Sequence, residues 1–339
     1  MIPTTQSAIY FEENGDSSVL KYSNDFLSPS IDQLKDSELI VKNKFAGVNY
    51  IETYFRKGIY PCQFPYIPGR EAAGTVLFAG SNSGFEIGDK VAYLAPSNFC
   101  QLTKLDSATN KIINLGKDAT DDQLQLYAGS LLQGLTALTF INEAYKVQKD
   151  DYILVTAAAG GVGLILCQLI GKIIGAHVIA VASSEEKLKE AENNGAEFLL
   201  DSSKLTYDEI KDKILEITNN EGIHAAFDSI GKDSFEMTFA SMRRKGTIVS
   251  FGNASGPVPP FNIGRLSPKN LKLLRPQLFA YVATADEFNH YCKELFDLID
   301  SGKLNIKIHG VSPLKDYKEV TDLMEARKTS GKLILEIPQ

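Results

Sequence analysis

The segment with the clearest chemistry is Ala157-Ala158-Ala159-Gly160-Gly161-Val162-Gly163. It follows a short apolar run that reads as a strand, residues 152–156, and opens a run that reads as a helix, residues 161–174. In that setting a small-residue turn is a dinucleotide-binding loop rather than a chance glycine pattern. Gly160 lets backbone approach a pyrophosphate, and Gly163 lets the helix pack close to the strand. Gly161 and Val162 open the helix, whose free N–H groups and positive dipole end favour an anion. Ala158 stands where the strict pattern has its first glycine. A tight turn without ligand is the plain alternative.

About 20 residues on, an NAD site carries Asp or Glu on the ribose 2′-hydroxyl. Here the second strand ends Val181-Ala182-Ser183-Ser184-Glu185-Glu186-Lys187. Hydroxyls from Ser183 and Ser184 with the Lys187 ammonium suit a 2′-phosphate, so the expected cofactor is NADPH. Glu185 and Glu186 speak against this, although acids are common in a first helical turn. Ligands of such sheets lie at the carboxyl ends of strands. That nominates Asp228-Ser229 and the stretch Ser250-Phe251-Gly252-Asn253.

These residues need a scaffold. From about Gly129, strand and helix patterns alternate: strands at 177–182, 198–200, 225–228 and 247–251, and helices at 185–193, 207–218 and 234–242. This predicts a doubly wound parallel sheet with helices on both faces. The first third reads instead as strands broken by Gly- and Pro-rich turns. One short helix is expected to start at Asn49, with Asn49 as cap, Glu52 completing a capping box and Gly58 ending it. Later come a long helix at about 286–301 and a last strand at 332–337. With 339 residues, 44% hydrophobic and 23% charged, two domains are expected.

Net charge is −7 and the pI about 5.3, which disfavours a general nucleic-acid binder. The start of the chain has neither basic residues nor an apolar signal core, and no apolar run reads as a bilayer span. Cys62, Cys100, Cys167 and Cys292 are scattered, as in a cytoplasmic protein with reduced thiols, and a nuclear location stays open. Four histidines (His177, His224, His290, His309) and these cysteines show no metal-ligand spacing, so no metal is expected.

An ordered series runs through the chain: Pro65-Tyr66-Ile67-Pro68-Gly69-Arg70-Glu71-Ala72-Ala73-Gly74-Thr75-Val76, Gly88-Asp89-Lys90-Val91, Gly134-Leu135-Thr136-Ala137, the loop at 157–163, Asp228-Ser229-Ile230-Gly231 and Val249-Ser250-Phe251-Gly252-Asn253-Ala254-Ser255-Gly256. It resembles the zeta-crystallin type of quinone oxidoreductase, within the medium-chain dehydrogenase/reductase superfamily. The fungal members are the most similar, notably at residues 265–270 and 275–278. The resemblance implies an α/β fold with a GroES-like β-barrel catalytic domain (1–130), a Rossmann domain binding NADPH (131–280) and a C-terminal segment returning to the first domain (281–339). It implies hydride transfer from NADPH, bound between the domains, to a quinone.

Zinc alcohol dehydrogenases of the superfamily carry Cys and His where this chain resembles them at Asn49 and Arg70. Losing zinc removes a Lewis acid, and a quinone is electron-poor enough to do without one. The resemblance also places Asn49, Tyr54 and Tyr60 near the nicotinamide, where an amide or phenol can hydrogen-bond a quinone oxygen. Helix capping, aromatic packing and loop anchoring are their plain alternatives. Thr136, Arg275 and Arg327 match cofactor-side positions, and Ser202 stands where bacterial members place a Tyr near the adenosine phosphate. The apolar stretches 271–274 and 277–282 suggest an edge strand pairing across a two-fold axis in a homodimer. Reduction of enals or enones is the nearest rival. AU-rich RNA binding through Arg243-Arg244-Lys245 and 269–275 is a second, and a purely structural, crystallin-like role a third.

Overall fold

Alternating apolar and polar residues at both ends of the chain build one mainly antiparallel sheet. The computed structural model describes residues 2–339. Its first strands are β1 (Thr5–Tyr10), β2 (Lys21–Leu27) and β3 (Glu38–Val48). Helix α1 (Ile51–Arg56) follows, then β4 (Glu71–Ala79), β5 (Lys90–Leu94), β6 (Leu102–Asp106), β7 (Lys111–Asn114) and the long helix α2 (Asp121–Ala144). β1 and β2 form a separate hairpin. β3 pairs β4 along one edge, while its other edge serves β6 at residues 38–42 and a C-terminal strand at residues 45–48. Eleven residues long and almost wholly buried, it is the spine of this unit. Its Leu39 and Val41 pack in the core with Val76, Tyr93, Phe99 and Leu105.

The second half alternates β8 (Tyr152–Thr156), α3 (Gly161–Ile174), β9 (His177–Ala182), α4 (Glu185–Asn193), β10 (Phe198–Asp201), α5 (Tyr207–Ile217), β11 (Ile223–Asp228), α6 (Phe235–Ala240) and β12 (Met242–Ser250). A three-residue strand β13 (Lys272–Leu274), α7 (Leu278–Tyr281) and α8 (Ala285–Asp300) follow. Six strands lie in the order β10-β9-β8-β11-β12-β13, all parallel. This is the doubly wound arrangement, with its topological switch beside β8. The sheet strands are near-continuous apolar runs because helices cover both faces. The last elements are β14 (Ile308–Pro313), α9 (Tyr317–Glu325) and β15 (Lys332–Glu336), and β15 is the strand that completes the other edge of β3.

The chain divides into two compact units, residues 1–132 with 308–339, and residues 133–307. The return to the first unit therefore comes later than the expected residue 281. Residues 281–307 stay with the second unit, because α8 buries Phe288, Tyr291, Cys292 and Leu295 there and Tyr291 donates to Glu143 at 2.7 Å. Of the expected edge stretch, Lys272–Leu274 is a strand, whereas Leu278–Tyr281 is helical. One further expectation changes: α2 is long and apolar enough to cross a membrane by length and composition, but 78% of its apolar window is buried in the fold, as in a core helix.

Candidate functional site

In the first unit the polar centre is buried. Glu71, at the start of β4, is fully enclosed, and so is Lys332 at the start of β15. The Lys332 ammonium donates to Glu71 Oε1 and, at 2.8 Å, to Asn49 Oδ1. Asn49 Nδ2 donates to the same carboxylate oxygen at 2.8 Å and to the Gly47 carbonyl at 3.2 Å. The second carboxylate oxygen accepts the Leu132 N–H at 2.9 Å. Burial pulls the Lys332 pKa down, against the upward pull of Glu71.

Both N–H groups of Asn49 are thus engaged, and donation to a substrate oxygen would break one of these bonds. Nor does Asn49 cap a helix with its side chain. α1 begins after Tyr50 without a side-chain cap, and the expected capping box is not formed. Glu52, its other proposed member, turns inward instead. Its Oε2 accepts the Gly69 N–H at 2.9 Å, and its Oε1 has no partner. Burial pushes the Glu52 pKa from an ordinary 4.5 up to about 7, against the downward pull of that N–H, Arg70 and Lys332. Gly69 permits this contact. Its φ is +107°, and a β-carbon there would collide with Asn98 and Phe99.

Tyr54 and Tyr60 do come together. Their rings meet edge to face at 5.5 Å, in a cluster that continues through Phe55 to Tyr66, with the Arg70 guanidinium 4.2 Å from the Phe55 ring. Burial raises the Tyr66 phenol to about 12, so it stays protonated near neutral pH. Arg327 is exposed and follows α9 in left-handed backbone, φ 58°.

In the second unit the loop after β8 is a sharp turn. Ala157 adopts φ 49°, unusual for a non-glycine residue. Gly160 N–H closes on Ala157 O at 2.9 Å, and the first bond of α3 runs from Leu164 N–H to Gly160 O. The amides of Gly161, Val162 and Gly163 precede that bond, as in any first helical turn. A β-carbon on Gly163 would sit 2.6 Å from Ala157 O and 2.7 Å from Ala158 O, so close packing on the strand requires this glycine. The side chain of Gln133 presses on Gly161, and its Oε1 is buried without a partner.

Asp228, at the tip of β11, ties the switch together. Its fully buried carboxylate accepts Thr156 Oγ1 at 3.0 Å, Ile230 N–H at 2.9 Å and Ser234 Oγ at 2.8 Å. Ser229 N–H donates to Thr156 Oγ1 at 3.1 Å. The backbone of Gly252 crosses Ser229 too closely for a side chain, and Phe251 stacks edge to face on Phe140 at 5.2 Å. Arg275 donates to the Ser250 and Gly252 carbonyls, each at 3.1 Å, and so clamps the 250–252 turn. Asn253 follows on this turn, and Thr136 lies buried on α2.

At the tip of β9, Ser184 caps α4 by accepting the Lys187 N–H at 3.3 Å, and Ser183 precedes it, half-buried. Ser202 donates its hydroxyl to Ala182 O at 3.1 Å, linking the tips of β9 and β10. Glu52, Glu71, Gln133, Lys204 and Lys332 were not among the residues nominated from sequence. Glu71 lay inside a quoted motif, Glu52 carried only a helix-capping signal, and Gln133, Lys204 and Lys332 carried no local signal.

The family described as "Alcohol dehydrogenase GroES-like domain" matches residues 35–148, and "Zinc-binding dehydrogenase" matches 161–300. A Schizosaccharomyces pombe "Probable quinone oxidoreductase" is 39% identical over 330 residues, covering 96% of each chain. This chain belongs to the quinone oxidoreductase family of the medium-chain dehydrogenases/reductases. The crystal structure of Escherichia coli quinone oxidoreductase complexed with NADPH superposes with a TM-score of 0.90 at 32% identity, over 97% of this chain and 99% of that one. A Burkholderia "2-haloacrylate reductase" is 31% identical, covering 88% of this chain and 90% of its own.

A zinc site needs three or four thiolate, imidazole or carboxylate ligands converging. Among the described residues, no three His, Cys, Asp or Glu side chains are so grouped. Asn49 and Arg70 stand at the positions compared with zinc ligands, and the nearby Glu71 carboxylate already holds the Lys332 ammonium. This donor set does not fit a divalent cation.

Proposed function

We infer that this chain is an NADPH-dependent quinone reductase working without a metal. The observation that carries the metal-free reading is the Lys332 ammonium seated on Glu71, a fixed cation where zinc chemistry would need vacant ligands. The family relatives support the substrate class, and the NADPH complex of one of them supports the cofactor.

The second unit fits that cofactor. The amides opening α3 receive the pyrophosphate, with Gly160 and Gly163 keeping the approach clear and the helix seated. Ser183, Ser184, Lys187 and Ser202 face the 2′-phosphate. Thr136, Ser229, Ser250, Phe251, Gly252 and Asn253 flank the rest, with Arg275 holding the turn, and Arg327 adds positive charge. When bound, NADPH supplies a hydride; with one proton from solvent, the quinone becomes a hydroquinone. Tyr54 and Tyr60 donate hydrogen bonds to the quinone oxygen as charge grows on it. Asn49 orients Lys332 and Glu71 rather than touching substrate.

The edge strand β13 supports homodimerisation, since a second copy can extend the sheet there. Four free cysteines agree with a cytoplasmic setting. The basic residues considered for RNA are partly engaged, Arg243 with His224 and Lys269 with the Met242 carbonyl, so that reading gains nothing. Reduction of an activated carbon–carbon double bond, the chemistry of the enone rival, has a specific support in the 2-haloacrylate reductase relative.

The test is oxidation of NADPH and NADH, side by side, by purified protein with 1,2-naphthoquinone and a chelator present. The expected result is rapid NADPH oxidation with little NADH turnover. Dependence on added zinc would refute the metal-free reading, and turnover of acrolein-like enals but not quinones would install the rival.

A further inference from the structure

The adenosine end of the cofactor site contains an electrostatic contradiction. A 2′-phosphate brings nearly two negative charges to the tip of the second strand of the sheet, here β9. Glu185 and Glu186 open the helix directly after that tip, and Asp201 ends the neighbouring strand. Three carboxylates should repel the phosphate and favour NADH.

We propose that Lys204 resolves this and sets the preference for NADPH over NADH; the inference rests on the cofactor reading above. Its ammonium lies 3.5 Å from the Glu185 carboxylate and 3.6 Å from that of Asp201, bridging the two acids across the tips of β9 and β10. The turn holds it there. Lys204 N–H bonds the Asp201 carbonyl at 3.2 Å, while Asp201 Oδ1 accepts the Ser203 N–H at 2.9 Å and its hydroxyl at 2.6 Å. Asp201 Oδ2, nearly buried, has no hydrogen-bond donor, so the nearby ammonium is what balances its charge. Both ion pairs are longer than a hydrogen bond, and the Lys204 side chain is 65% exposed. Such loose pairs add little to stability. They do cancel field at a neighbouring site, because charge–charge energies fall only as the inverse of distance within a Debye length.

The test compares Lys204→Ala, Lys204→Arg and the double variant Glu185→Gln/Lys204→Ala, all at exposed positions that leave the core intact. kcat/KM is measured with NADPH and NADH at low and high salt. Lys204→Ala is expected to lower the NADPH value roughly tenfold at low salt and leave NADH unchanged, with the gap narrowing at high salt. Lys204→Arg should retain the preference, and the double variant should recover most of it. The proposal is overturned if Lys204→Ala preserves the preference, if both cofactors fall together, or if removing the Glu185 charge restores nothing. A parent protein using both cofactors equally would instead overturn the NADPH reading itself, and this proposal with it.

Discussion

Replacing Glu52 with Gln should stabilise the protein at alkaline pH and leave it unchanged at acid pH. Glu52 is fully enclosed, has one unpartnered oxygen and lies near Arg70, Lys332 and Glu71; its charge also reaches the buried phenols of Tyr66 and Tyr317. Burial raises its pKa from 4.5 to about 7. Below 4.5 both folded and unfolded chains hold the proton. Between 4.5 and 7 the folded chain holds a proton that the unfolded chain has released, so stability falls as pH rises through this window. Above 7 the loss is complete and constant. A shift of this size corresponds to roughly 3 kcal/mol, at about 1.4 kcal/mol per unit. Glutamine keeps an oxygen for the Gly69 N–H and never ionises. Denaturant unfolding followed by circular dichroism, at pH 5 and pH 8, measures the difference; the chain has no Trp to report by fluorescence. Wild type and Glu52→Gln should differ by less than about 1 kcal/mol at pH 5, near the foot of the window, and the variant should gain roughly 2–3 kcal/mol at pH 8. Parallel pH profiles, or a variant weaker at pH 8, would refute the reasoning.

Four further outcomes follow from the contacts described above. Lys332→Met strands the Glu71 carboxylate in the interior and should cost about 3–5 kcal/mol, while Lys332→Met/Glu71→Gln should recover most of the melting temperature. Gly163→Ala drives a β-carbon into the Ala157 and Ala158 carbonyls and should lose about 1–3 kcal/mol together with NADPH binding. Gly160→Ala meets only Ala157 O, at 3.1 Å, with φ −73°, and should keep its melting temperature while NADPH affinity, measured by calorimetry, falls. Arg275→Ala frees two carbonyls of the 250–252 turn; its amides should exchange faster by hydrogen exchange, and the KM for NADPH should rise with little change in thermal stability.

The doubly wound half was legible because its signals are local. Apolar runs of strand length, helical periods between them and a glycine turn at the first crossover specify a parallel sheet, and the tips carrying Ser184, Ser229 and Ser250 follow from it. The first unit was harder for a physical reason. Its polar centre joins Glu71 to Lys332 across 261 positions, and nothing near either residue announces the other. Asn49 shows how such a contact wins. Its neighbours spell a helix cap, worth roughly 1 kcal/mol, but an enclosed carboxylate and ammonium left imperfectly bonded would cost more, so the amide turns inward. Helix α8 misled the boundary similarly, because an amphipathic pattern says that a face is buried and not which core receives it. Both cases assign the error to one cause: local preference is outweighed wherever a buried charge or apolar face needs a distant partner. Lys204 is the counterpart at the surface. It lies three residues beyond Asp201 and pairs with it, but its other partner, Glu185, is on a different helix, and only the sheet order β10-β9 brings that acid within reach. A cofactor preference read from the tip of the second strand alone therefore omits a charge supplied by the third.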